Sequence, residues 1–435
     1  MINSETKNFS QNVSSSYHLE DRGKCNKNTC TNVRNVPKLR FKGYNDEWKH
    51  YRLKDITTRI TRKNKKLESD RPLTISAIDG LIDQKDYFNR QIASKDMSGY
   101  YLLKNGEFAY NKSYSNGFPY GSIKRLNKYD KGALSTLYIC FSLQNICSDF
   151  LEKYFETDKW YKEIYMIAVE GARNHGLLNI SVEDFFNTMH KFPNIEEQEK
   201  IASFLTLIDK KIKKQKELVE LLKKYKRGLL SAIFSQKMRF KDDNGNNYPA
   251  WEEKRLGDIC KIVGGGTPDT NNVKYWGDDI NWFTPTEIIK KYADSSNRKI
   301  SRLGLLKSSA KILPIGTVLL TTRATLGEMS ILSIEATTNQ GFQSLIPVKD
   351  EVSSEFIYYC QPIIKHFCYK YANGSTFLEI SKQTLAKLKL MIPNKDEQNK
   401  ISDFLSKFDN KIQQEECILS NLKTYKKGLL QQMFI

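Results

Sequence analysis

The sequence predicts an α+β protein. Two mixed, strand-rich domains are separated by two long helices packed as an antiparallel coiled coil, and the halves are related by a pseudo-two-fold repeat. Three observations carry this. A segment of about 42 residues starting at Pro193 recurs from Pro393 without a gap, at a constant offset, with about 19 positions identical. Inside both copies apolar residues step by four and three, the signature of a buried helical seam. The stretches between the copies, residues 60–175 and 262–375, share little with each other and read as short strands broken by Gly, Asn and Pro.

Residues 1–36 are rich in Ser, Asn and Lys and lack apolar periodicity, so they are expected to be a disordered leader. The first variable domain then runs over 37–192. It opens with Arg40-Phe41, Trp48, Leu53 and Asp55-Ile56, and the same pattern opens the second half as Arg239-Phe240, Trp251, Leu256 and Asp258-Ile259. Strands are expected at Gly106–Tyr110 and Leu137–Phe141. A helix follows over 193–236. Asn194 with Glu197 has capping-box spacing, and Ile201, Leu205, Ile208, Ile212 and Leu222 form its seam. The second variable domain covers 237–392, with strands at Thr317–Thr321 and Met329–Leu332. The second helix, 393–435, is capped by Asn394 and Glu397 and carries its seam on Ile401, Leu405, Phe408, Ile412 and Leu422. Gln215 and Glu415 occupy the seam's one polar position, where a polar residue costs stability and can set register. Asp209 with Lys211, and Asp409 with Lys411, read as pairs on the helix surface.

One seam needs one partner, and packing the two helices on each other is the economical solution. Each is about 50 Å long at ~1.5 Å per residue. An antiparallel pair would hold the two domains apart by on the order of 1.5 turns of duplex DNA, taking ~34–36 Å per turn. The formal charge of +19 asks for a polyanion, and nucleic acid is the usual one. An anionic membrane surface is the rival, but no basic amphipathic helix lies beside a lipid-anchor signal, and no apolar run approaches the ~20 residues of a membrane span. A cytoplasmic protein with no membrane partner is expected. The eight cysteines form no CxxC pair and read as reduced thiols. Cys25 and Cys30 alone have the look of half a zinc site, without a second pair at finger spacing, so no metal site is expected.

These residues taken together resemble the specificity subunits of type I restriction-modification enzymes. The resemblance rests on the helix opening Pro193-Asn194, Glu197-Gln198, Ile201, its closing Tyr225-Lys226-Arg227-Gly228-Leu229-Leu230, and their copies at Pro393 and Tyr425. Further strings add to it: Gly264-Gly265-Gly266-Thr267-Pro268, Tyr275-Trp276-Gly277-Asp278, Trp282-Phe283-Thr284-Pro285 and Asn339-Gln340-Gly341-Phe342. Others are Asn373-Gly374-Ser375-Thr376, Tyr110-Asn111-Lys112-Ser113 and Pro119-Tyr120-Gly121. The resemblance covers about 36–435 and implies two target-recognition domains, each reading one half of a bipartite duplex. It implies helical spacers that dock two methyltransferase subunits, and two restriction subunits in the full complex. S-adenosylmethionine, ATP and magnesium would then sit on those partners and none on this chain. The leader departs from the family, whose members usually begin near the Arg-Phe pair.

Sequence readout needs side chains that reach groove edges, with basic groups on phosphate. In the first domain the candidates are Asn111, Lys112, Ser113, Tyr120, Lys124, Arg125, Arg173 and Asn174. In the second they are Gly265, Gly266, Thr284, Thr286, Arg323, Asn339 and Gln340. The glycines are expected to leave amides free for phosphate. An ordinary turn role remains the alternative for each. Trp276 and Trp282 read as core. The lysine-dense face at 210–226 reads either as a phosphate track or as a solvated surface.

No catalytic signature accompanies these residues. There is no Asn/Asp-Pro-Pro-aromatic string and no GxxxxGK[ST] loop, and Pro268-Asp269 lacks the acidic-x-Lys partner of a nuclease strand. The five histidines have no ligand spacing. The alternatives are a stand-alone DNA-modifying enzyme with unrecognised motifs and a coiled-coil assembly scaffold.

Overall fold

The computed structural model describes residues 19–21, 35–88, 93–94, 96–168, 178–323, 325–373 and 378–435. It is a mixed α+β chain that separates into two compact units. One is Met1–Lys216 with Ile418–Ile435, and the other is Glu217–Cys417. The long helices Ile195–Phe234 and Lys395–Met433 therefore each contribute to both. Among the described residues no helix is long and apolar enough to cross a membrane.

Unit one holds two four-stranded sheets. In the first, strand Gly80–Asp83 lies beside Pro72–Ser76, then Lys131–Leu134 and Tyr101–Lys104. In the second the order is Thr57–Arg59, Ile139–Leu143, Phe108–Asn111 and Ser122–Arg125. Their facing apolar residues, Leu73, Leu103, Ala109 and Leu134 among them, form a small core. A larger, aromatic core joins Phe108, Tyr110, Phe141, Trp160 and Phe185 to the helices behind the sheets. The expected strands are present, shifted by one or two residues at their ends. One departure lies in the leader: Leu19–Asp21 is a strand, paired antiparallel with Leu39–Phe41. Its main chain satisfies the edge of that strand, which composition alone does not reveal.

Unit two has a five-stranded sheet ordered Cys260–Gly264, Gln343–Pro347, Val318–Leu320, Met329–Leu332 and Tyr292–Ala293. A three-stranded sheet follows the order Arg298–Ile300, Trp276–Phe283 and Ala336–Thr338. Its main core joins Trp251, Leu256, Val318, Leu345, Phe356 and Ile364.

Each unit anchors its long helix by the same contacts, and these explain the repeated motif residue by residue. Strand Lys49–Arg52 pairs antiparallel with Met189–Phe192, and Glu252–Arg255 pairs with Lys389–Ile392. The chain then turns through Pro193 or Pro393. Asn194 Oδ1 accepts from Glu197 N at 2.9 Å, and Asn394 Oδ1 from Glu397 N at 3.0 Å, so half of each capping box is present. The other half is not used. The Glu197 carboxylate, 0 % exposed, instead takes both prongs of the Arg40 fork at 2.7 Å, and Glu397 takes Arg239 at 2.7 and 2.8 Å. Trp251 Nε1 also donates to Glu397, at 3.0 Å. Gln198 and Gln398 reach the other way. Each donates to its proline carbonyl, at 2.9 and 3.0 Å, and each accepts a main-chain N–H, from Cys147 and Ser353 respectively. Those two residues are the N-caps of helices Ser148–Phe155 and Ser354–Tyr359.

The seam residues are largely buried within each unit. In unit one Ile201, Leu205 and Ile208 share a core with Leu429, Leu430, Met433 and Phe434, and Ile212 packs against it. In unit two Ile401 and Leu405 share a core with Ile233, Ile412 is buried, and Leu222 and Phe408 are half-buried. Leu422, in unit one, is half-buried. The two aspartates are not paired within their own helices as expected. Asp209 accepts Lys153 at 2.5 Å and Lys426 at 2.6 Å, while Asp409 pairs with Lys226 and accepts Tyr359 Oη at 2.7 Å. Both half-buried carboxylates face the facing helix and its neighbours, where an i,i+2 lysine cannot reach.

Candidate nucleic-acid interface

In unit one the string 110–116 leaves strand Phe108–Asn111 as a loop. Asn111 Oδ1 accepts from Ser113 N at 3.0 Å, an Asx turn, and Lys112 Nζ donates to the Ile180 carbonyl at 3.1 Å. The return passes through Gly121 at φ +78, where a Cβ would overlap the Asn111 carbonyl, so only glycine fits. Tyr120 packs its ring on Tyr161, with centroids 5.2 Å apart. Burial lowers the Lys124 ammonium pKa, with Glu156 and Glu152 pulling the other way. Arg125 is occupied within the fold: it meets Asp149 at 2.7 Å, Glu152 at 2.6 Å and Ser148 Oγ at 2.7 Å, pinning the start of a helix. Arg173 and Asn174 lie outside the described residues.

The structure brings Asn111 and Ser113 to a cavity of about 270 Å³ that also takes in Ser76–Ile78, Tyr87, Tyr114 and Asn116. Ile78 sits in the turn between strands Pro72–Ser76 and Gly80–Asp83 and is 86 % exposed; Tyr114 is also exposed. Sequence reading passed over Ile78 and Tyr87. An exposed apolar residue in a tight turn stands out only once the hairpin is paired.

In unit two the chosen strings meet at one end of the sheets, although they are far apart in sequence. Gly266 N donates to Thr338 O at 2.8 Å, and Trp282 Nε1 donates to Gly266 O at 2.9 Å. A Cβ on Gly265 would overlap the Asn339 carbonyl, so this glycine serves close loop contact. The expectation of free amides is corrected for Gly266, whose N–H is spent on Thr338. Thr267 Oγ1 donates to Gln340 Oε1 at 2.5 Å. Glu287 accepts both N and Oγ1 of Thr284 at 2.7 Å, and its other oxygen accepts Asn297 N at 2.6 Å. Thr286 Oγ1 lies 3.2 Å from Thr284 Oγ1 and is exposed. Asn339 Oδ1 accepts Gly341 N at 2.8 Å, and Thr322 N reaches Gly341 O at 2.8 Å. Next to Thr322, Arg323 lies on the surface 2.9 Å from Glu379. Gly265, Gly266, Thr284, Asn339 and Gln340 thus form one cluster of hydroxyl, amide and main-chain groups.

Trp282 is buried as expected. Trp276 is only half-buried, meets Trp282 edge-on at 5.0 Å, and lies under the Arg298 guanidinium. Among the described residues no three His, Cys, Asp or Glu side chains gather as a metal site. Burial pushes the Cys140, Cys260 and Cys368 thiols up to about 12, which keeps them protonated and unreactive.

Comparison with known proteins adds the following. Residues 249–424 match the family model described as type I restriction modification DNA specificity domain. Over 194 residues the chain is 36% identical to the type I restriction enzyme MjaIX specificity subunit of Methanocaldococcus jannaschii, covering 43% of this chain and 45% of that protein. Over 217 residues it is 27% identical to the EcoR124I/EcoR124II specificity subunit of Escherichia coli, covering 46% and 53%. The chain thus spans about half the length of these curated relatives. Its fold matches a chain from a structure of type I restriction-modification complex assembly and conformational transition, with TM-score 0.57 and 18% identity over 89% of this chain and 97% of that one. It also matches the type I S subunit from M. genitalium, with TM-score 0.51 and 16% identity over 92% and 99%. Residues 249–424 are thus similar to the type I restriction modification DNA specificity domain, and the fold of most of the chain resembles that of the type I S subunit.

Proposed function

We propose that this chain is the DNA-reading subunit of a type I restriction-modification assembly and carries no catalytic centre of its own. Each variable unit reads one half of a bipartite duplex target. The observation that carries this is the duplication: one Arg–Glu anchor with a buried carboxylate and one helix opening are used twice, while the loops they support differ in fold detail and in chemistry. A scaffold kept twice with two different surfaces suits a reader of two different sequences. The charge of +19 suits a polyanion.

The domain organisation follows the same reading: recognition domains over 37–192 and 237–392, spacer helices over 193–236 and 393–435. The helices act as an antiparallel coiled coil. Support comes from each unit separately, since the opening turns of one helix share a core or ion pairs with the closing turns of the other. The spacers dock two methyltransferase subunits, with restriction subunits joining the full complex in the cytoplasm. The cluster at Gly265, Gly266, Thr284, Asn339 and Gln340, with Thr286 and Arg323 on the surface beside it, contacts DNA in unit two; Asn111, Lys112, Ser113, Tyr120 and Lys124 do so in unit one.

Mapping methylated adenines across a genome, with and without this chain beside its methyltransferase partner, tests the reading. A two-part motif that appears only when the chain is present is the expected result. Methylation at the same sites without it rejects the proposal.

A further inference from the structure

Resting on that DNA reading, the inference concerns Arg298, a residue that the sequence strings do not single out. Its guanidinium carbon lies 3.6 Å from the centroid of the Trp276 ring and 5.5 Å from that of Trp282. The platform beneath it is fixed to the glycine loop, because Trp282 Nε1 donates to Gly266 O at 2.9 Å and Trp276 Nε1 to Asp269 O at 3.2 Å. The chain leading to Arg298 is held as well. Asn297 N donates to Glu287 at 2.6 Å, the carboxylate that also holds the Thr284 turn, and Ser296 Oγ donates to Arg298 O at 2.6 Å.

Several arginines near the candidate sites are neutralised: Arg62 by Glu107, Arg125 by Asp149 and Glu152, Arg323 by Glu379. Arg298 is exposed, and among the described residues its guanidinium has no carboxylate partner. Stacking uses the flat face of the guanidinium and leaves its edge of N–H donors available. A rigid planar fork beside hydroxyl and amide groups matches the O6/N7 edge of guanine in the major groove.

We propose that Arg298 is a base-reading residue of unit two, donating bidentately to a guanine in its half-site, with Trp276 as the positioning residue that sets the plane of the fork. The test is the methylated-adenine map of the assembled methyltransferase carrying Arg298→Ala, Arg298→Lys or Trp276→Leu. Arg298→Ala and Arg298→Lys are expected to relax one G·C position of one half-site, cutting discrimination there roughly five- to hundredfold, while the other half-site stays intact. Trp276→Leu should relax the same position in part. An unchanged motif in both arginine variants overturns the proposal. So does a uniform fall in methylation with the motif intact in Arg298→Ala and restored in Arg298→Lys, which is the mark of a phosphate contact. The preserved half-site reports that each variant is folded. If the wild-type chain directs no two-part motif, it is the DNA reading that fails rather than the role of Arg298.

Discussion

At the scale of single residues, the repeated glutamate illustrates what a short motif can hide. Asn194, Glu197 and their copies have the spacing of a capping box, yet the carboxylates leave the helix end and meet arginines about 157 residues earlier in the chain. A buried carboxylate needs a partner that satisfies its charge, and a bidentate guanidinium does this better than one amide. His190 gives a second case. Its ring is buried between Tyr154 Oη and Thr188 Oγ1, each 2.9 Å from a ring nitrogen, and burial lowers its pKa to about 4. The unfolded chain takes up a proton near pH 6.5 and the folded chain does not. Stability is therefore full above that pH and falls as the pH drops through 6.5 towards 4, by up to about 3 kcal/mol. Denaturation midpoints measured from pH 7.5 to 4.5 should fall less steeply in His190→Gln; equal slopes in the two proteins would contradict this assignment.

At the scale of elements, the long helices are held by more than their apolar seam. Lys226 pairs with Asp409 in unit two, and Lys426 with Asp209 in unit one, the same pair of repeat positions taken in the opposite order. These charges are partly shielded, so they are worth more than a fully exposed pair. A double-mutant cycle on Lys226→Ala and Asp409→Ala should show a coupling on the order of 1 kcal/mol, read from denaturation. Additive losses would mean that the pair does not tie the helices together.

At the scale of the whole molecule, the prediction concerns modularity. On the proposed function, replacing residues 60–175 with the corresponding stretch of a specificity subunit that the chain resembles should change one half of the methylated motif and preserve the other. The variable sheets of unit one and the loops of unit two have separate cores, so exchange of one leaves the anchor contacts of the other in place. Loss of both halves, or change in neither, would contradict the modular reading.

The sequence by itself determined what repetition and periodicity encode. It placed both long helices and several strands, because Ile201 and Ile401 sit in apolar patterns that only a helix buries on one side. The strings whose residues cluster in unit two were legible only through their resemblance to a known family. Only the tertiary structure decided which side chains are already engaged. Arg125 and Arg298 look equally available in the chain, yet one is held by two carboxylates and the other lies open on an indole. Asp209 likewise found its lysine on the other helix rather than two residues along. Pairing between residues remote in sequence follows from packing geometry, and no local pattern of residue types carries that information.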